Sequence, residues 1–350
     1  MALKILFLSH AFAPAIGGIE TSSEFLANAF VAAGHEVRLM TTTAAAGEDF
    51  PYPVIRTTSP LEMLQHHAWA DVVFENNPCL RLSWPKALFG TPSLVVLHTW
   101  INRLDGTIGF VDRVKFRWLA RANKVVAISE AVRRRCWPQA TIIHNSYNED
   151  LFRIRTKERP QDFVFLGRLV SDKGAQLAVA AFIDLVFTHP VPELKNARLT
   201  IIGEGPDRAE LEAMAAALPD PSRVRFAGSL QGDALVEELN QHRFQFIPST
   251  WEEPFGIVAL EGIACGLIPI ASDGGGLPDA IGEAGVTFER GQLSALIAAT
   301  TALVQSPEKQ ARCRQAAPRH LAGFSSETIK QEFLTALESV ANGRAKQVAK

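Results

Sequence analysis

Cysteine is scarce in this chain of 350 residues: Cys79, Cys136, Cys265 and Cys313 lie far apart and form no CxxC pair. That spacing suggests neither a zinc ribbon nor a disulfide framework, and a reducing cytoplasm is the compartment that fits. Long hydrophobic runs are also missing. The opening MALKILFLSHAFAP reaches His10 and Pro14 after a short apolar stretch, too little for a signal-peptide core or a spanning helix. No DxD triplet and no clustered His and Asp offer a metal-ligand set, so no metal and no cofactor are expected. A GxGxxG after the first apolar run is absent too. Ala13-Pro14-Ala15-Ile16-Gly17-Gly18 stands there instead, which argues against a dinucleotide-dependent dehydrogenase.

The rest of the composition is that of an ordinary globular protein: 47% hydrophobic, 21% charged, formal net charge -2. Disordered and collagen-like classes drop out. The length favours two domains of about 150 residues each, and hence a cleft between them. Charge is unevenly spread. Between residues 103 and 135, nine basic residues (Arg103, Arg113, Lys115, Arg117, Arg121, Lys124, Arg133, Arg134, Arg135) face three acidic ones (Asp105, Asp112, Glu130), a local balance of +6. Two readings stand: a solvated helical surface, or contact with an anionic acceptor or the inner face of a membrane. Phe110, Val111, Val114, Trp118 and Leu119 recur there at helical spacing, a stripe that core packing explains.

Short apolar runs alternate with amphipathic stretches, the pattern of βαβ units and parallel sheets. Strands are expected at 4–8, 36–41, 71–75, 93–97, 124–128 and 140–144, with a first helix over 19–33 ending at Gly34. The rhythm restarts at FVFLG near 162, with a helix at 174–187, strands at 199–203, 224–228, 245–249 and 268–272, and helices near 207–217 and 256–264. A polar linker covers 146–160. Residues 325–341 predict a C-terminal helix with a capping-box-like start at Ser325 and Glu327. The expected domains are 1–155, 156–324 and a terminal segment 325–350.

Chemistry concentrates around Glu253-Pro254-Phe255-Gly256 and the apolar helix that follows. Glu261 falls inside that helix with no lysine or arginine nearby in sequence, so a ligand carrying hydroxyls would satisfy it. The backbone N–H groups of Gly256, Ile257 and Val258 are unpaired donors at the positive end of the helix dipole, which suits a phosphate. Glu253, on the loop before the helix, would reach past the phosphates to a sugar.

Glu253 through Glu261 is similar to the E-x7-E element of retaining glycosyltransferases of the GT-B fold, family 4. Phe165-Leu166-Gly167-Arg168-Leu169-Val170-Ser171-Asp172-Lys173-Gly174 resembles that family's phosphate-binding segment, Gly203-Glu204-Gly205-Pro206 its G-x-G-P turn, and Pro14 through Glu20 its glycine loop. The resemblance runs from residue 4 to about 340. It implies an α/β fold of two Rossmann-like, doubly wound domains facing across a cleft, with a C-terminal helix crossing back to the first domain. It implies catalytic roles for His98, Arg168, Lys173 and Glu253, and donor contacts for Gly17, Gly18, Leu230, Phe255, Gly256, Ile257, Val258 and Glu261. Arg168 and Lys173 would neutralise the departing diphosphate in place of a metal.

The sequence departs from the family pattern at two places. His98 is followed by Thr99 where an aspartate is frequent, and Asn145 by Ser146 where glycine is usual. Ser129-Glu130 resembles a family pair but equally reads as a helix cap. The expected activity is a hexosyl transfer from a UDP- or GDP-sugar to a glycan, lipid-linked or small-molecule hydroxyl. An epimerase or phosphorylase of the same fold, or a binding protein without turnover, are the alternatives. No nucleic-acid partner is expected. Loops 42–60 and 99–112, where acceptor groups would arise, carry no legible code.

Overall fold

Strands too short to stand alone are gathered into two all-parallel sheets, each with a single reversal of strand order. The computed structural model describes residues 2–15, 17–44, 49–56, 59–102, 106–156 and 158–348, with side chains to 343. Ile16 of the glycine loop, Arg103 and Asp105 of the basic stretch, and parts of the loops 42–60 and 99–112 lie outside them. The chain divides into two units, residues 1–145 with 327–350, and residues 146–326.

The first unit holds β1 (Lys4–Ser9), β2 (Glu36–Thr41), β3 (Val54–Ile55), β4 (Val72–Asn76), β5 (Ser93–Leu97), β6 (Lys124–Ala127) and β7 (Thr141–Ile142). Their order is β3-β2-β1-β4-β5-β6-β7. Helices cover both faces of such a sheet, so its central strands are buried throughout: Ile5 to Leu8, Val72 to Phe74 and Leu94 to Leu97 have no exposure. Phe7 and Phe74 pack at 4.7 Å between ring centroids, and Phe30 joins Phe74 edge-on at 5.2 Å. The first helix runs Gly18–Ala32 and ends as expected, with Gly34 left-handed at φ +87°. The final helix, Ser326–Val348, contributes Phe333, which meets Phe74 edge-on at 6.0 Å.

The second unit holds β8 (Phe163–Leu166), β9 (Leu199–Ile202), β10 (Val224–Gly228), β11 (Phe244–Ile247), β12 (Ile268–Ser272) and β13 (Val286–Phe288). Their order is β10-β9-β8-β11-β12-β13. Phe163 stacks on Phe246 at 4.7 Å and on Phe244 at 5.2 Å, which joins β8 to β11 across the centre of the sheet.

Three expectations need correction, and one contact was not foreseen. The unit boundary falls after Asn145, not after residue 155, because Phe152, with Tyr147 and Leu151, packs on Val164, Ile202 and Leu235 of the second unit. The helix at 174–187 is α-helical only over Ala175–Ile183 and then widens into a π turn, Asp184–Thr188. The carboxylate of Glu149 accepts from Ser326 N at 2.9 Å and from Ser326 Oγ at 2.7 Å, a start to the last helix that comes from 177 residues away. The stripe in Phe110–Leu119 is not a core stripe along its length. Trp118 and Leu119 are buried, while Phe110 is 81% and Val111 59% exposed. The last turn is anchored because Trp118 Nε1 donates to Glu75 at 3.0 Å, and Glu75 also takes Lys86 Nζ at 2.6 Å in a buried ion pair.

His67 is fully buried, its Nε2 donating to the Leu82 carbonyl at 2.9 Å and its Nδ1 without a partner among the described residues. Burial draws its pKa from 6.5 down to about 4. The native state then binds fewer protons than the unfolded chain between those values, so stability is lost as pH falls through the window. His67→Phe is expected to remove up to about 3 kcal/mol of that acid loss, read from urea midpoints between pH 7 and pH 4. An unchanged pH profile in the variant would contradict a neutral His67.

Candidate functional site

In an open parallel sheet, ligand sites form beyond the carboxyl ends of the strands where the order reverses. In the second unit that point lies between β8 and β11. The loop after β8 carries Gly167 to Gly174, and the loop after β11 carries Pro248 to Gly256. The two are stitched together by their backbones. Thr250 N and Trp251 N donate to the Asp172 carbonyl at 3.0 and 3.2 Å. Gly174 is left-handed at φ +72°, and a Cβ there would stand 2.0 Å from the Pro248 carbonyl oxygen, so only glycine allows the approach.

This stitching brings Lys173 and Glu253 together although 80 residues separate them. Lys173 Nζ donates to Glu253 Oε1, which also accepts from Ser249 Oγ at 2.6 Å. The ammonium lies 5.8 Å from the centre of the Trp251 ring. Both members of the pair remain partly open to solvent, with side-chain exposures of 22% and 13%. Arg168 stands exposed on the same loop as Lys173. The resting lysine is therefore paired.

The helix after Gly256 runs Ile257–Ala264 and no side chain caps its start. Gly256 sits at φ +126°, and a Cβ on it would lie 2.5 Å from Leu277 Cδ2. Gly276 N donates to the Glu253 carbonyl at 2.7 Å, and a Cβ on Gly275 would lie 2.0 Å from that carbonyl oxygen. The loop bearing Glu253 is thus clamped from a second side by the glycines after β12. Phe255 is buried and Ile257 and Val258 half-buried, with the Val258 carbonyl accepting from Gln245 Nε2 at 3.1 Å. One turn deeper, the half-buried side chain of Glu261 makes no hydrogen bond or ion pair among the described residues, while its backbone carbonyl accepts from Cys265 N at 3.0 Å. Burial raises its pKa to about 7. A carboxylate held there without a partner is the group a ligand hydroxyl would satisfy.

The other expected residues have more structural parts. Gly203, at φ +142°, has no room for a Cβ, which would lie 1.9 Å from the Gly167 carbonyl oxygen. Leu169 N donates to Glu204 O at 2.9 Å, so the Gly203 to Pro206 turn buttresses the loop that presents Lys173. Leu230 is half-buried, packed against the apolar cluster that includes Val236 and Leu239. Gly17 is extended, and a Cβ on it would meet only its own helix's Glu20, while a Cβ on Gly18 would meet open space. Neither glycine is forced by crowding.

In the first unit the order reverses between β1 and β4, and His98 follows the neighbouring β5. Its Nε2 lies 2.6 Å from Asn76 Oδ1. The Asn76 amide nitrogen donates to Ser23 Oγ at 2.7 Å and to the Ile19 carbonyl at 3.3 Å, and Ser23 Oγ lies 2.8 Å from Ser9 Oγ. A carbonyl can only accept, which fixes the amide nitrogen on that side and leaves Oδ1 to accept from His98. Nε2 therefore carries the ring proton and Nδ1 the lone pair. Burial brings the His98 pKa down to about 4, so the ring is neutral at pH 7. Asn76, Ser23 and Ser9 were not foreseen, and neither were Ser249 and Gly274 to Gly276. The glycine triplet after an apolar run was the one signal in the sequence.

The sequence profile described as glycosyl transferases group 1 matches residues 146–320, half of the chain. The chain belongs to the group 1 glycosyltransferases. Among relatives, it is similar to the glycogen synthase of Mycobacterium tuberculosis strain H37Rv, 33% identical over 178 residues, covering 50% of this chain and 42% of that protein. It also resembles a D-inositol 3-phosphate glycosyltransferase of Acidothermus cellulolyticus, 30% identical over 57% of this chain and 52% of the relative. The chain thus spans about half the length of these curated relatives. Anabaena HepE in complex with UDP shares the fold, with TM-score 0.81 and 19% identity over 96% of this chain and 100% of that one. These likenesses confirm the GT-B architecture. No helix among the described residues is long and apolar enough to cross a membrane.

Because Glu261 is held closer to its neutral form than an exposed glutamate, the folded protein binds more protons than the unfolded chain between pH 4.5 and about 7. Its contribution to stability is present at pH 5 and lost as pH rises through about 7. Glu261→Gln is expected to match the parent near pH 5 and to exceed it at pH 8, measured by guanidinium denaturation. A variant no more stable than the parent at pH 8 would contradict an unpartnered carboxylate.

Proposed function

We propose that this glycosyltransferase is a retaining, metal-independent hexosyltransferase that draws on a UDP- or GDP-sugar. The observation that carries the reading is the Lys173–Glu253 pair, held beside the uncapped helix start at Gly256 and one helix turn from the unpartnered Glu261. Lys173, Arg168 and the N–H groups of Ile257 and Val258 would take the diphosphate, and Glu261 the ribose hydroxyls. Retaining transfer builds positive charge on the sugar and negative charge on the departing diphosphate, and groups fixed in advance stabilise both. The incoming phosphate would compete with Glu253 for Lys173, freeing that carboxylate for the sugar. His98, neutral and fixed by Asn76, is proposed to serve the sugar through its ring or backbone carbonyl. Gly17 and Gly18, with Leu230, remain proposed donor contacts.

Support for uridine comes from Anabaena HepE, whose crystals contain UDP, and in another case UDP-glucose. Support for a lipid-linked acceptor, and for peripheral contact with an anionic membrane, comes from exposed Ile108, Phe110 and Val111 beside the basic residues from Arg113 onward. No cluster of three metal-capable side chains occurs among the described residues. In this proposal side-chain cations are assigned the work a metal would do.

The test is sugar transfer, followed by release of nucleoside diphosphate, with free and lipid-linked acceptors compared. Lys173→Ala is expected to lower turnover by about 100-fold or more while the fold is kept, as removal of one charge-stabilising donor does elsewhere. A folded Lys173→Ala protein with full transfer activity would contradict the phosphate assignment.

A further inference from the structure

Behind the far end of the helix Ile257–Ala264, wholly within the second unit, lies a cavity of about 1020 Å³ that the proposed reaction does not use. Part of the lining is apolar: Ile263 and Leu267 are buried, Leu321 half-buried, and Ile154 is 58% exposed. Part is cationic, with Arg159, Arg243 and Arg314 all lining the space. Arg159 spends its guanidinium on neutral acceptors: the Thr156 carbonyl at 2.8 and 2.9 Å, the His242 carbonyl at 3.2 Å and Asn240 Oδ1 at 2.9 Å. Arg243 donates to the Arg159 carbonyl. Arg314 is exposed, with no ion-pair partner among the described residues.

The charge on this part of the lining is therefore uncompensated. Of the two carboxylates at the cavity, Glu149 is taken up by Ser326, and Glu158 is exposed and paired with none of the three arginines. The pKa of Arg159 is lowered chiefly by burial, with Cys265 opposing and Arg243 adding to the shift, and that of Arg243 is lowered by burial and by Arg314, the direction expected when cations crowd together. An anion would relieve that repulsion, and arginine favours the geometry of phosphate. The apolar part of the lining asks for something more than an inorganic ion.

We propose that this cavity binds a phosphate-bearing amphiphile, its phosphate against Arg243 and Arg314 and its hydrocarbon part on Ile154, Ile263, Leu267 and Leu321. Its volume suits a ligand of small-molecule size. The site is separate from the proposed donor site, so each can fail without the other.

The experiment is calorimetric titration of the full chain with octyl phosphate, inorganic phosphate and octyl glucoside, all below micelle formation. Octyl phosphate is expected to bind at least about tenfold more tightly than either partial mimic, since both parts of the lining must be engaged. Arg314→Glu, a change at an exposed helix position, is expected to weaken octyl phosphate by about tenfold or more. Ile154→Asp should weaken it as well, with UDP binding unaltered in both variants. Phosphatidic acid vesicles distinguish a lipid source from a soluble one: co-sedimentation lost in Arg314→Glu assigns the lipid, and its absence beside octyl phosphate binding assigns a soluble organophosphate. No heat with octyl phosphate, equal affinity for octyl glucoside or for inorganic phosphate, or binding unchanged in Arg314→Glu would each overturn the proposal.

Discussion

The structure of the second unit turns on a close approach of backbones. The loops after β8, β9, β11 and β12 touch one another through carbonyl oxygens and glycine Cα atoms, at Gly174 against Pro248, Gly203 against Gly167, and Gly275 against Glu253. A single Cβ at any of these places would stand about 2 Å from a backbone oxygen. Because the loops cannot move apart without losing these contacts, Lys173 and Glu253 are held at one place. The charges that a phosphate would meet are set before any ligand arrives, the condition under which electrostatic stabilisation is most effective.

The first unit reaches a similar arrangement by hydrogen bonds. Ser9 ends β1, Ser23 lies inside the first helix, Asn76 ends β4 and His98 follows β5; together they form one chain of donors and acceptors at the strand reversal. Its consequence is a histidine with one tautomer and no charge at pH 7. Burial acts in opposite directions in the two units. It discharges His98 in the first and raises the pKa of Glu261 in the second. Each group is left in the state that favours a polar ligand.

The fold was legible in the sequence because parallel strands covered on both faces read as uninterrupted apolar runs, as KILFL, SLVVL and FVFLG do. The two-residue strand Val54–Ile55 left no such run and was not seen. Lys173, Glu253 and Glu261 were legible as members of a motif, and Glu261 also as an isolated carboxylate in an apolar helix. The pairing of Lys173 with Glu253 was not, since it depends on β8 and β11 being neighbours, which no local pattern encodes. Asn76 and Ser23 were hidden because buried polar residues in apolar surroundings look like ordinary sequence noise until their partners are known. The exposure of Phe110 and Val111 escaped for the converse reason: helical spacing shows which residues share a face, not how far along the helix that face is covered.

The central claim is that fixed side-chain and backbone charge in the second unit holds a nucleoside diphosphate unaided by metal. The most direct measurement is a calorimetric titration of the purified chain with UDP, performed in excess EDTA and again in excess Mg²⁺. The account predicts saturable binding in EDTA, with an affinity that magnesium changes by less than about threefold, equivalent to under 1 kcal/mol. Binding that appears only when magnesium is present would contradict it.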